Sequence, residues 1–355
     1  MTGPVVTAVV VTYDGAALLP PCLDSLAEQT LGRDRLHVVV VDNASHDDTL
    51  TLLRERYPWV EVVASPRNLG FAGGVDLGLR AASTPWVFLL NSDARAARDC
   101  VERLLDAAEH DEHGRVAALV PTLLLSQRYR PAGPHDVPGA VVQGATGRYT
   151  ADDEGTVRLV NSTGGLVTRD GYGTDRGWLA DAASHDPPPD VFGFCGAAVL
   201  LRRAAVQAVG GFDPRFFMYY EDADLSWRLR LAGWSVRHVA DARADHLHAA
   251  TSVAGSDLFT LHNDRNRLVM LVKDASAPLA LRCVLRAVLT LASTTLRRNE
   301  PWSRTRLRWR AFGSFLRLLP HALRARRSAA PPSGPGRHLV ERLLAEPPRE
   351  AVGPR

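Results

Sequence analysis

Three carboxylates stand close together immediately after a run of aromatic residues. Glu221, Asp222 and Asp224 follow the letters FFMYY, and leucines then recur at helical spacing. Acidic side chains in the first turn of a helix are favoured by the helix dipole, which is a purely structural reason for such a cluster. Carboxylates beside apolar rings also tend to have raised pKa values, close to the working range of a general base. The cluster therefore predicts a group that can remove a proton, although helix stabilisation alone would give the same letters.

A second group of oxygen-bearing side chains ends an apolar run upstream, in the letters VFLLNSDA. Asn91 and Asp93 are one residue apart, a spacing that suits ligands of a hard divalent cation, Mg²⁺ or Mn²⁺, that also holds phosphates. Asn and Asp are common wherever strands end, so the motif is weak on its own. Downstream, HLHAATS provides His246 and His248. Either could contact a metal or a diphosphate, although most histidines do neither.

Two further segments have the groups that a nucleoside diphosphate requires. Asp42 ends the run VVVVD, where a carboxylate can accept hydrogen bonds from a base or a ribose, while Ser45 or Asp47 could cap the next helix. Arg67 supplies a cation in RNLGFAGGVDLGL, whose glycines allow a ligand to approach the backbone, unless they only form a turn before a helix. Neither this segment nor the turn after the first apolar run matches GxGxxG, which counts against a nicotinamide- or flavin-dependent dehydrogenase.

These polar groups stand at the ends of predicted strands. Periodicity predicts strands over 7–12, 37–41, 60–64 and 86–90, and helices over 17–29, 48–57 and 72–82. Near-continuous Val and Leu strands separated by helices indicate a parallel sheet covered on both faces, and such sheets bind ligands beyond the carboxyl ends of their strands. Residues 121–190 are rich in Gly, Pro, Asp and Thr, and we expect long loops with short strands there.

Composition and cysteine usage are those of a globular protein in a reducing compartment. Of the 355 residues 46% are hydrophobic and 23% are charged, close to average values. The four cysteines show no CxxC or paired spacing, so buried thiols and a cytoplasmic location are expected. The start MTGPVVTAVV lacks the basic region of a signal peptide.

The end of the chain is strongly basic. Residues 297–355 contain 14 Arg and 4 Glu, a net charge of +10, whereas the first 296 residues carry −7. The apolar stretch 278–295 is interrupted by Arg282 and Arg286, which favours an interfacial helix over a transmembrane span. Interleaved Arg and aromatic residues then suit the anionic inner face of the plasma membrane. A packed helical extension or oligomer contact is the alternative; we expect no nucleic acid partner, because nothing upstream suggests one.

Taken together and in order, these segments resemble family 2 glycosyltransferases, most of all the bacterial rhamnosyltransferase-like group. The resemblance covers about residues 5–272 and rests on TAVVVTYDG, VVVVDNASHDDT, RNLGFAGGVDLGL, VFLLNSDA, GFCGAAVLLRR, GGFDPRFFMYYEDADLSWRLRLAGW and a later histidine. It implies an α/β fold of the GT-A type, in which a Rossmann-like nucleotide-binding half with a mostly parallel sheet is fused to an acceptor-binding half. The implied GT-A domain is 1–255, with halves 1–95 and 96–255, followed by a helical extension over 256–330 and a disordered tail over 331–355.

The resemblance also implies roles for individual residues. Asp222 matches the family's catalytic base, with Glu221 and Asp224 beside it. Asn91 and Asp93 occupy the position of the DxD-type metal motif, although the neutral Asn91 departs from that pattern and reduces the charge offered to a metal. The later histidine, His246 or His248 with a slight preference for His248, would contact the metal or the diphosphate. Nucleotide contacts are implied at Thr12, Tyr13, Asp42, Arg67, Asn68, Gly70 and Ser92.

The implied reaction transfers a sugar with inversion to a hydroxyl of a cell-envelope glycan or its lipid-linked precursor. The expected donor is dTDP-rhamnose, with UDP-galactofuranose, UDP-hexoses and GDP-mannose as alternatives. A nucleotidyltransferase shares the fold class, but the first turn here lacks the glycine-rich loop with Arg and Lys that such enzymes use. A non-catalytic nucleotide-sugar-binding protein is less expected, because Asp93 and Asp222 are intact.

Overall fold

The computed structural model describes residues 3–137, 141–247, 256–331 and 333–347. Its first part alternates strands and helices as the apolar periodicity predicts. The elements are β1 Val6–Thr12, α1 Leu19–Ala27, β2 Leu36–Asp42, α2 Thr49–Arg56, β3 Glu61–Ala64, α3 Gly70–Ala81 and β4 Trp86–Leu90. β1 pairs in parallel with both β2 and β4, and β2 pairs in parallel with β3, which confirms the parallel arrangement predicted for this half.

The remaining elements are shorter strands followed by helices. They are β5 Ala94–Ala96, α4 Cys100–Glu109, β6 Val116–Leu125, β7 Tyr129–Pro131, β8 Val141–Gln143, β9 Arg148–Ala151, β10 Val160–Ser162, β11 Gly165–Val167, β12 Gly173–Asp175, β13 Ala198–Arg202, α5 Arg203–Ala208, α6 Glu221–Leu231, β14 Ser235–His246, α7 Asp257–Asp274, α8 Ala277–Arg297, α9 Trp302–Ala329 and α10 Arg337–Val340. Short 3₁₀ turns occupy Pro214–Phe216 and Glu341–Leu343.

One large mixed sheet organises the molecule. Its strand order is β3-β2-β1-β4-β13-β6-β14-β5, with β10 paired to β6. β13 runs antiparallel to both β4 and β6, so the start of β13 lies at the same edge of the sheet as the end of β4. The polar residues that follow the strands of the first half lie at this edge of the sheet. Because β13 begins at the same edge, the residues near 196 lie close to them.

The expectation of loops from residue 121 onward was wrong for 121–125. β6 continues through Pro121 to Leu125 without a break. A proline lacks the N–H that a central strand needs, but the β14 partner has a register shift between Val239 and Arg243, opposite Pro121 and Thr122. Prolines are tolerated at such irregularities because the ladder hydrogen bond is already interrupted there.

Apolar cores lie on both faces of the sheet, and a third core joins the C-terminal helices to it. Leu23 of α1 and Leu104 of α4 cover one face, and Val75 of α3 and Leu225 of α6 cover the other. Trp227 of α6 is fully buried in the third core, among residues of α7, α8 and α9. α6 is therefore held between the sheet and the C-terminal helices.

The described end of the chain is folded, in contrast to the disorder expected from the composition of 331–355. Val340 and Leu344 are buried, and Ala345 forms a bridge with Thr168. The Arg337 guanidinium donates to the carbonyls of Lys273 and Asp274, at the C-terminus of α7. Basic side chains satisfy the free carbonyls at helix ends, so Arg337 attaches this segment to α7.

The basic helices are partly packed and partly exposed. Ala311 and Phe315 of α9 are 1% exposed, and Cys283 of α8 is buried. Of the helices in the described ranges, α8 alone is long and apolar enough to cross a membrane by length and composition, and 22% of its most apolar stretch is buried. All four cysteines are unpaired; Cys22, Cys100 and Cys283 are buried.

Candidate active site

Two buried oxygen atoms lie side by side where the first two strands end. Thr12 and Asp42 are direct neighbours in the register of β1 and β2, and both residues are 2% exposed. Asp42 Oδ2 accepts the Ser45 N–H at 3.3 Å, but Asp42 Oδ1 and Thr12 Oγ1 are buried without a hydrogen-bond partner among the described residues. Buried polar atoms are costly when unsatisfied, so this pair of oxygens is suited to a ligand that donates hydrogen bonds.

The loops after these strands are fixed to each other by short polar contacts. Asp14 has a positive φ of 48° and its carboxylate accepts the His46 N–H at 2.7 Å, while Ser45 Oγ accepts the Asp14 N–H at 2.9 Å. Ser45 therefore joins the loops and does not cap α2, whereas Asp47 accepts the Thr49 N–H at the start of that helix. Tyr13 is 43% exposed beside these contacts, where its ring is open to a ligand.

A cavity of about 510 Å³ lies next to the predicted phosphate-binding segment. Arg67 and Asn68 line it together with Arg215, which no sequence pattern indicated. Asn43, also missed, holds this segment in place: its Oδ1 accepts the Leu69 N–H at 2.9 Å and its Nδ2 donates to Asn68 Oδ1 at 3.1 Å. Two guanidinium groups beside one cavity suit an anionic ligand.

Gly70 serves backbone packing. It is buried with φ +70°, and a Cβ there would lie 2.3 Å from the Phe217 carbonyl oxygen. Only glycine allows that approach, which lets the Phe217 carbonyl accept the Ala72 N–H in the first turn of α3. Gly70 thus packs against the segment that precedes α6, and the nucleotide contact implied for it stays a prediction; α3 begins at Gly70 instead of the predicted residue 72.

At the end of β4, Asp93 meets a histidine from the far end of the sheet. Asp93 Oδ1 lies 3.1 Å from His246 Nε2, and His246 Nδ1 lies 2.7 Å from Asn161 Oδ1. All three residues are nearly buried. The structure thus brings together Asp93 and His246, which were both singled out from the sequence, and Asn161, which was not. Ser92 is also buried there, and His248 lies outside the described residues.

The donor set at this point fits a hard cation that shares its coordination with a diphosphate. Asn91, two residues before Asp93 in the chain, has its Oδ1 buried without a hydrogen-bond partner among the described residues. Within the described ranges no three His, Cys, Asp or Glu residues are grouped closely enough to hold a metal alone. One carboxylate, one imidazole and one amide oxygen are too few ligands for a hard cation, so phosphate oxygens or water would supply the others.

Asp222 stands at the start of α6, half-buried. Its Oδ1 accepts the Ala223 N–H at 2.7 Å and its Oδ2 accepts the Gly196 N–H at 3.2 Å. Burial raises the pKa of Asp222 to about 6, and the nearby charge of Asp175 adds to the rise. Glu221 is 6% exposed, and burial together with the charge of Asp222 raises its pKa well above the usual value. A carboxylate with a pKa near 6 is ionised at neutral pH and basic enough to accept a proton.

A short connection links Asp222 to the end of β4. The Asn91 N–H donates to the Ala197 carbonyl at 2.9 Å, and the preceding residue, Gly196, donates its N–H to Asp222. A Cβ on Gly196 would lie 3.2 Å from the Phe71 ring and 3.8 Å from the Asp222 Cβ. The acidic start of α6 and the Asn91–Asp93 segment therefore border the same two residues at one edge of the sheet.

Asp224 faces a different environment from Asp222, although both start α6. Its carboxylate is fully buried, and it accepts hydrogen bonds from Arg228 at 2.6 Å and Lys273 at 3.0 Å. Burial alone would raise the pKa of Asp224, but Arg228 and Lys273 outweigh this effect and lower the pKa. The structure thus assigns Asp224 to an internal ion-pair cluster, in place of the catalytic group in which the sequence put it.

Lys273 connects this cluster to Asp213, whose carboxylate also lies 2.7 Å from His321 of α9. Burial would raise the pKa of Asp213, but Lys273 and His321 lower it to about 2. Because the folded-state pKa values of both aspartates lie below their usual values, the cluster stabilises the fold at neutral pH, and this contribution is lost as the pH falls through the folded-state pKa values.

Replacing Lys273 with methionine is expected to lower the free energy of unfolding by about 3–5 kcal/mol, since it leaves buried carboxylates without their cation. Urea unfolding at neutral pH measures the change. Arg286→Met is the matched control, because Arg286 is exposed and lies 3.9 Å from Asp170. Equal effects of the two substitutions would contradict a stabilising internal cluster.

Known proteins resemble this chain over the parts that form the site. The model for glycosyl transferase family 2 matches residues 7–131, and that for glycosyl transferase family group 2 matches residues 154–260. The N-acetylglucosaminyl-diphospho-decaprenol L-rhamnosyltransferase of Mycobacterium tuberculosis is 32% identical over 260 residues, which cover 70% of this chain and 77% of that protein. The galactofuranosyltransferase GlfT1 of Mycolicibacterium smegmatis is 34% identical over 128 residues, 35% of this chain and 42% of that protein.

Solved structures show the same fold at low sequence identity. GalNAc-T7 with UDP, GalNAc and Mn²⁺ aligns with a TM-score of 0.55 and 15% identity, over 76% of this chain and 48% of that chain. The mannosyltransferase PcManGT of Pyrobaculum calidifontis with GDP-Man and Mn²⁺ aligns with a TM-score of 0.50 and 19% identity, over 92% and 85%. The fold is GT-A, with a C-terminal helical region. The chain belongs to family 2 of the glycosyltransferases and is a transferase enzyme.

Proposed function

We propose that this enzyme transfers a sugar from a nucleoside diphosphate donor to an acceptor hydroxyl with inversion, and that Asp222 is the general base. The observation that carries the proposal is the geometry of the Asp222 carboxylate. It is fixed by two backbone N–H groups, has a raised pKa, and borders the segment that leads to Asp93. A base held in this way can remove the proton of an alcohol as its oxygen attacks the anomeric carbon.

The nucleotide is proposed to bind where the first strands end. Thr12 Oγ1 and Asp42 Oδ1 would accept hydrogen bonds from the base or the ribose, with Tyr13 beside them. Arg67, with Asn68 and Arg215, would offset the charge of the diphosphate from the cavity that they line. These contacts hold the donor in one orientation, and positioning of two reactants is a large part of the acceleration in such transfers.

A divalent cation, Mg²⁺ or Mn²⁺, is proposed to bind at Asp93. Asp93, Asn91 and His246 would hold it together with the diphosphate, and Asn161 would orient the His246 ring. When bound, the cation offsets negative charge that develops on the leaving diphosphate. Ser92 lies between Asn91 and Asp93 in the chain and is buried after the end of β4.

A deoxyhexose, rhamnose, is the proposed sugar and a lipid-linked envelope glycan the proposed acceptor class. The support is the relative that is named as a rhamnosyltransferase acting on a diphospho-decaprenol, which matches most of this chain. Incubation with dTDP-rhamnose, UDP-galactofuranose, UDP-hexoses and GDP-mannose, followed by measurement of released nucleotide with and without Mn²⁺, tests the donor. Release from a different nucleotide sugar alone would overturn the choice of rhamnose, and no release from any would count against a transferase of this donor class.

The exposed face of α8 is proposed to attach the enzyme to an anionic membrane surface, on the cytoplasmic side. Leucines project from this helix at four-residue spacing with arginines between them, and further aromatic side chains are exposed on α9. The exposed apolar residues of the two helices include Leu281, Leu285, Leu289, Leu296, Trp302 and Trp309. Apolar insertion combined with basic charge is the pattern of an interfacial helix.

Replacing Leu285 and Leu289 together with glutamate is expected to weaken binding to vesicles that contain phosphatidylglycerol by about 100-fold or more, because each leucine buries apolar area in the interface. Co-sedimentation measures the binding. Val62→Glu is the control, since Val62 is exposed on β3, away from the basic helices. Unchanged sedimentation of the double variant would contradict attachment through α8.

A further inference from the structure

The backbone that leads into the catalytic helix is strained. Phe217, Tyr219 and Tyr220 have φ values of 64°, 68° and 67°, in the left-handed region that side chains with a Cβ disfavour. At Phe217 the ψ value is −60°, and the Met218 N–H donates to the Phe216 carbonyl at 2.7 Å. This is a γ-turn of the rare, strained kind. Strain of this sort persists only where the surroundings hold it.

α7 supplies the groups that hold this segment. Asn266 is fully buried, and its Nδ2 donates to the carbonyls of Phe216, Met218 and Tyr219 at 2.9, 2.8 and 2.7 Å. The neighbouring Arg265 donates from Nη2 to the carbonyls of Arg215 and Phe216 at 3.1 and 2.7 Å. The Nε of Arg265 also donates to Asn266 Oδ1 at 2.7 Å, which fixes the orientation of the amide.

The two carbonyls that α7 does not contact accept hydrogen bonds from α3 and α6. The Phe217 carbonyl accepts the Ala72 N–H at 3.1 Å, in the first turn of α3. The Tyr220 carbonyl accepts the Asp224 N–H at 2.9 Å, which is the first hydrogen bond of α6. Every carbonyl from 215 to 220 therefore has a partner, and the partners on α7 act on the residues just before Asp222.

We propose that Asn266, oriented by Arg265, is a positioning residue that holds segment 215–220 in the one conformation from which Asp222 reaches the acceptor hydroxyl. The inference rests on the proposed role of Asp222. Without the amide, the carbonyls of Met218 and Tyr219 lose the Asn266 donor, the Phe216 carbonyl loses one of its three donors, and the strained turns relax toward ordinary backbone angles. The start of α6 then shifts, and the Asp222 carboxylate leaves the position set by the Gly196 and Ala223 N–H groups.

Relaxation of the segment would also change the surroundings of Asp222. The carboxylate faces Gly196 and Cys195 ahead of β13, Asp175 of β12, and Glu221 on its own helix. Burial among these groups raises the pKa of Asp222. Water that enters a loosened segment stabilises the ionised carboxylate, so its pKa falls. A residue that only stabilises the fold would not move this pKa.

The test is Asn266→Asp, which keeps the side-chain volume and the acceptor for Arg265 but removes the N–H donors. We expect kcat to fall by about 100-fold, the effect of a small misplacement of a reacting group. The acid limb of the pH profile of kcat/KM is expected to move to lower pH. Leu104→Ala is the control: it destabilises a buried position on α4 without contact with the segment and should leave kcat and the profile unchanged.

Several outcomes overturn the inference. If a folded Asn266→Asp variant has wild-type kcat and an unmoved acid limb, the amide only stabilises the fold. This conclusion holds even when Asp222→Asn is inactive. If Asn266→Asp does not fold, Arg265→Lys takes its place, with an expected fall in kcat of about 10-fold because the amide loses its orienting donor. Unchanged kcat and an unmoved acid limb in folded Arg265→Lys also overturn it. An active Asp222→Asn variant, by contrast, overturns the proposed function itself.

Discussion

Replacing Asp222 with asparagine is expected to lower turnover by about 10²–10⁴-fold, the usual contribution of a positioned general base. The amide keeps the shape of the carboxylate but cannot accept the proton of the acceptor hydroxyl. Binding of the nucleoside diphosphate should be unchanged, because the nucleotide contacts lie at the ends of β1 and β2. Steady-state kinetics and calorimetric titration with the nucleoside diphosphate measure the two quantities separately.

The pH dependence of the wild-type enzyme provides a second measurement of the same base. Because burial raises the pKa of Asp222 to about 6, the carboxylate becomes protonated as the pH falls through that value, and kcat/KM should fall with it. The activity is thus expected on the alkaline side of pH 6. An acid limb near the ordinary pKa of an exposed aspartate would contradict the burial-based assignment.

Two variants show whether the effect belongs to Asp222. Glu221→Gln should cost much less, because burial and the charge of Asp222 raise the pKa of Glu221 well above its usual value, and an amide resembles the neutral form of the acid. Asp99→Asn removes another carboxylate from the start of a helix, one that pairs with Arg103 of α4, and should leave turnover unchanged. If Glu221→Gln lowered turnover as much as Asp222→Asn does, the assignment of Asp222 as the general base would be contradicted.

The second large effect is expected at Asp93. Asp93→Asn should lower metal-stimulated turnover by about 100-fold or more, since it removes the one carboxylate that offers a charge to the cation at the end of β4. The substitution keeps the size of the side chain beside His246. Titration of activity with Mn²⁺, before and after treatment with a chelator, measures the loss.

Asp245→Asn is the matched control for the metal site. Asp245 precedes His246 on β14, but its carboxylate pairs with Arg158 at 2.5 Å. Its loss should leave the response to Mn²⁺ unchanged. Equal metal responses in wild type and Asp93→Asn would contradict a cation held by Asp93, and would leave the diphosphate to be neutralised by Arg67 and Arg215 alone.

Local patterns predict the nucleotide-binding half well. Its strands are continuous apolar runs and its helices have amphipathic spacing, so each element follows from its own residues. The meeting of Thr12 and Asp42 also follows, since both end neighbouring parallel strands. Two further acidic residues of this half have local structural roles: Asp14 adopts a positive φ, which Asp and Asn tolerate, and Asp76 pairs with Arg80 one helical turn away.

The differences between neighbouring acids could not be read from the sequence. Asp222 and Asp224 stand in the same helical turn with the same chemistry. Asp224 becomes a structural residue because Lys273 approaches it from α7, 49 residues further along the chain. Asn266 likewise acts on carbonyls about 50 residues away. Such contacts depend on how helices pack against each other, and the spacing of apolar residues along the sequence does not indicate them. His246 meets Asp93, and Asn161 meets His246, because β14 and β10 join the sheet on β6, far along the chain from β4.

We propose that Asp222 at the start of α6 and Asp93 after β4 act in one reaction centre. The most direct measurement is a crystal structure with dTDP and Mn²⁺, in which anomalous scattering locates the metal. We expect a metal peak within about 2.5 Å of an Asp93 carboxylate oxygen, with the dTDP diphosphate on the other side of the metal. Asp222 should line the same open space. A metal and nucleotide bound elsewhere, or an Asp222 carboxylate that opens onto a separate surface, would contradict it.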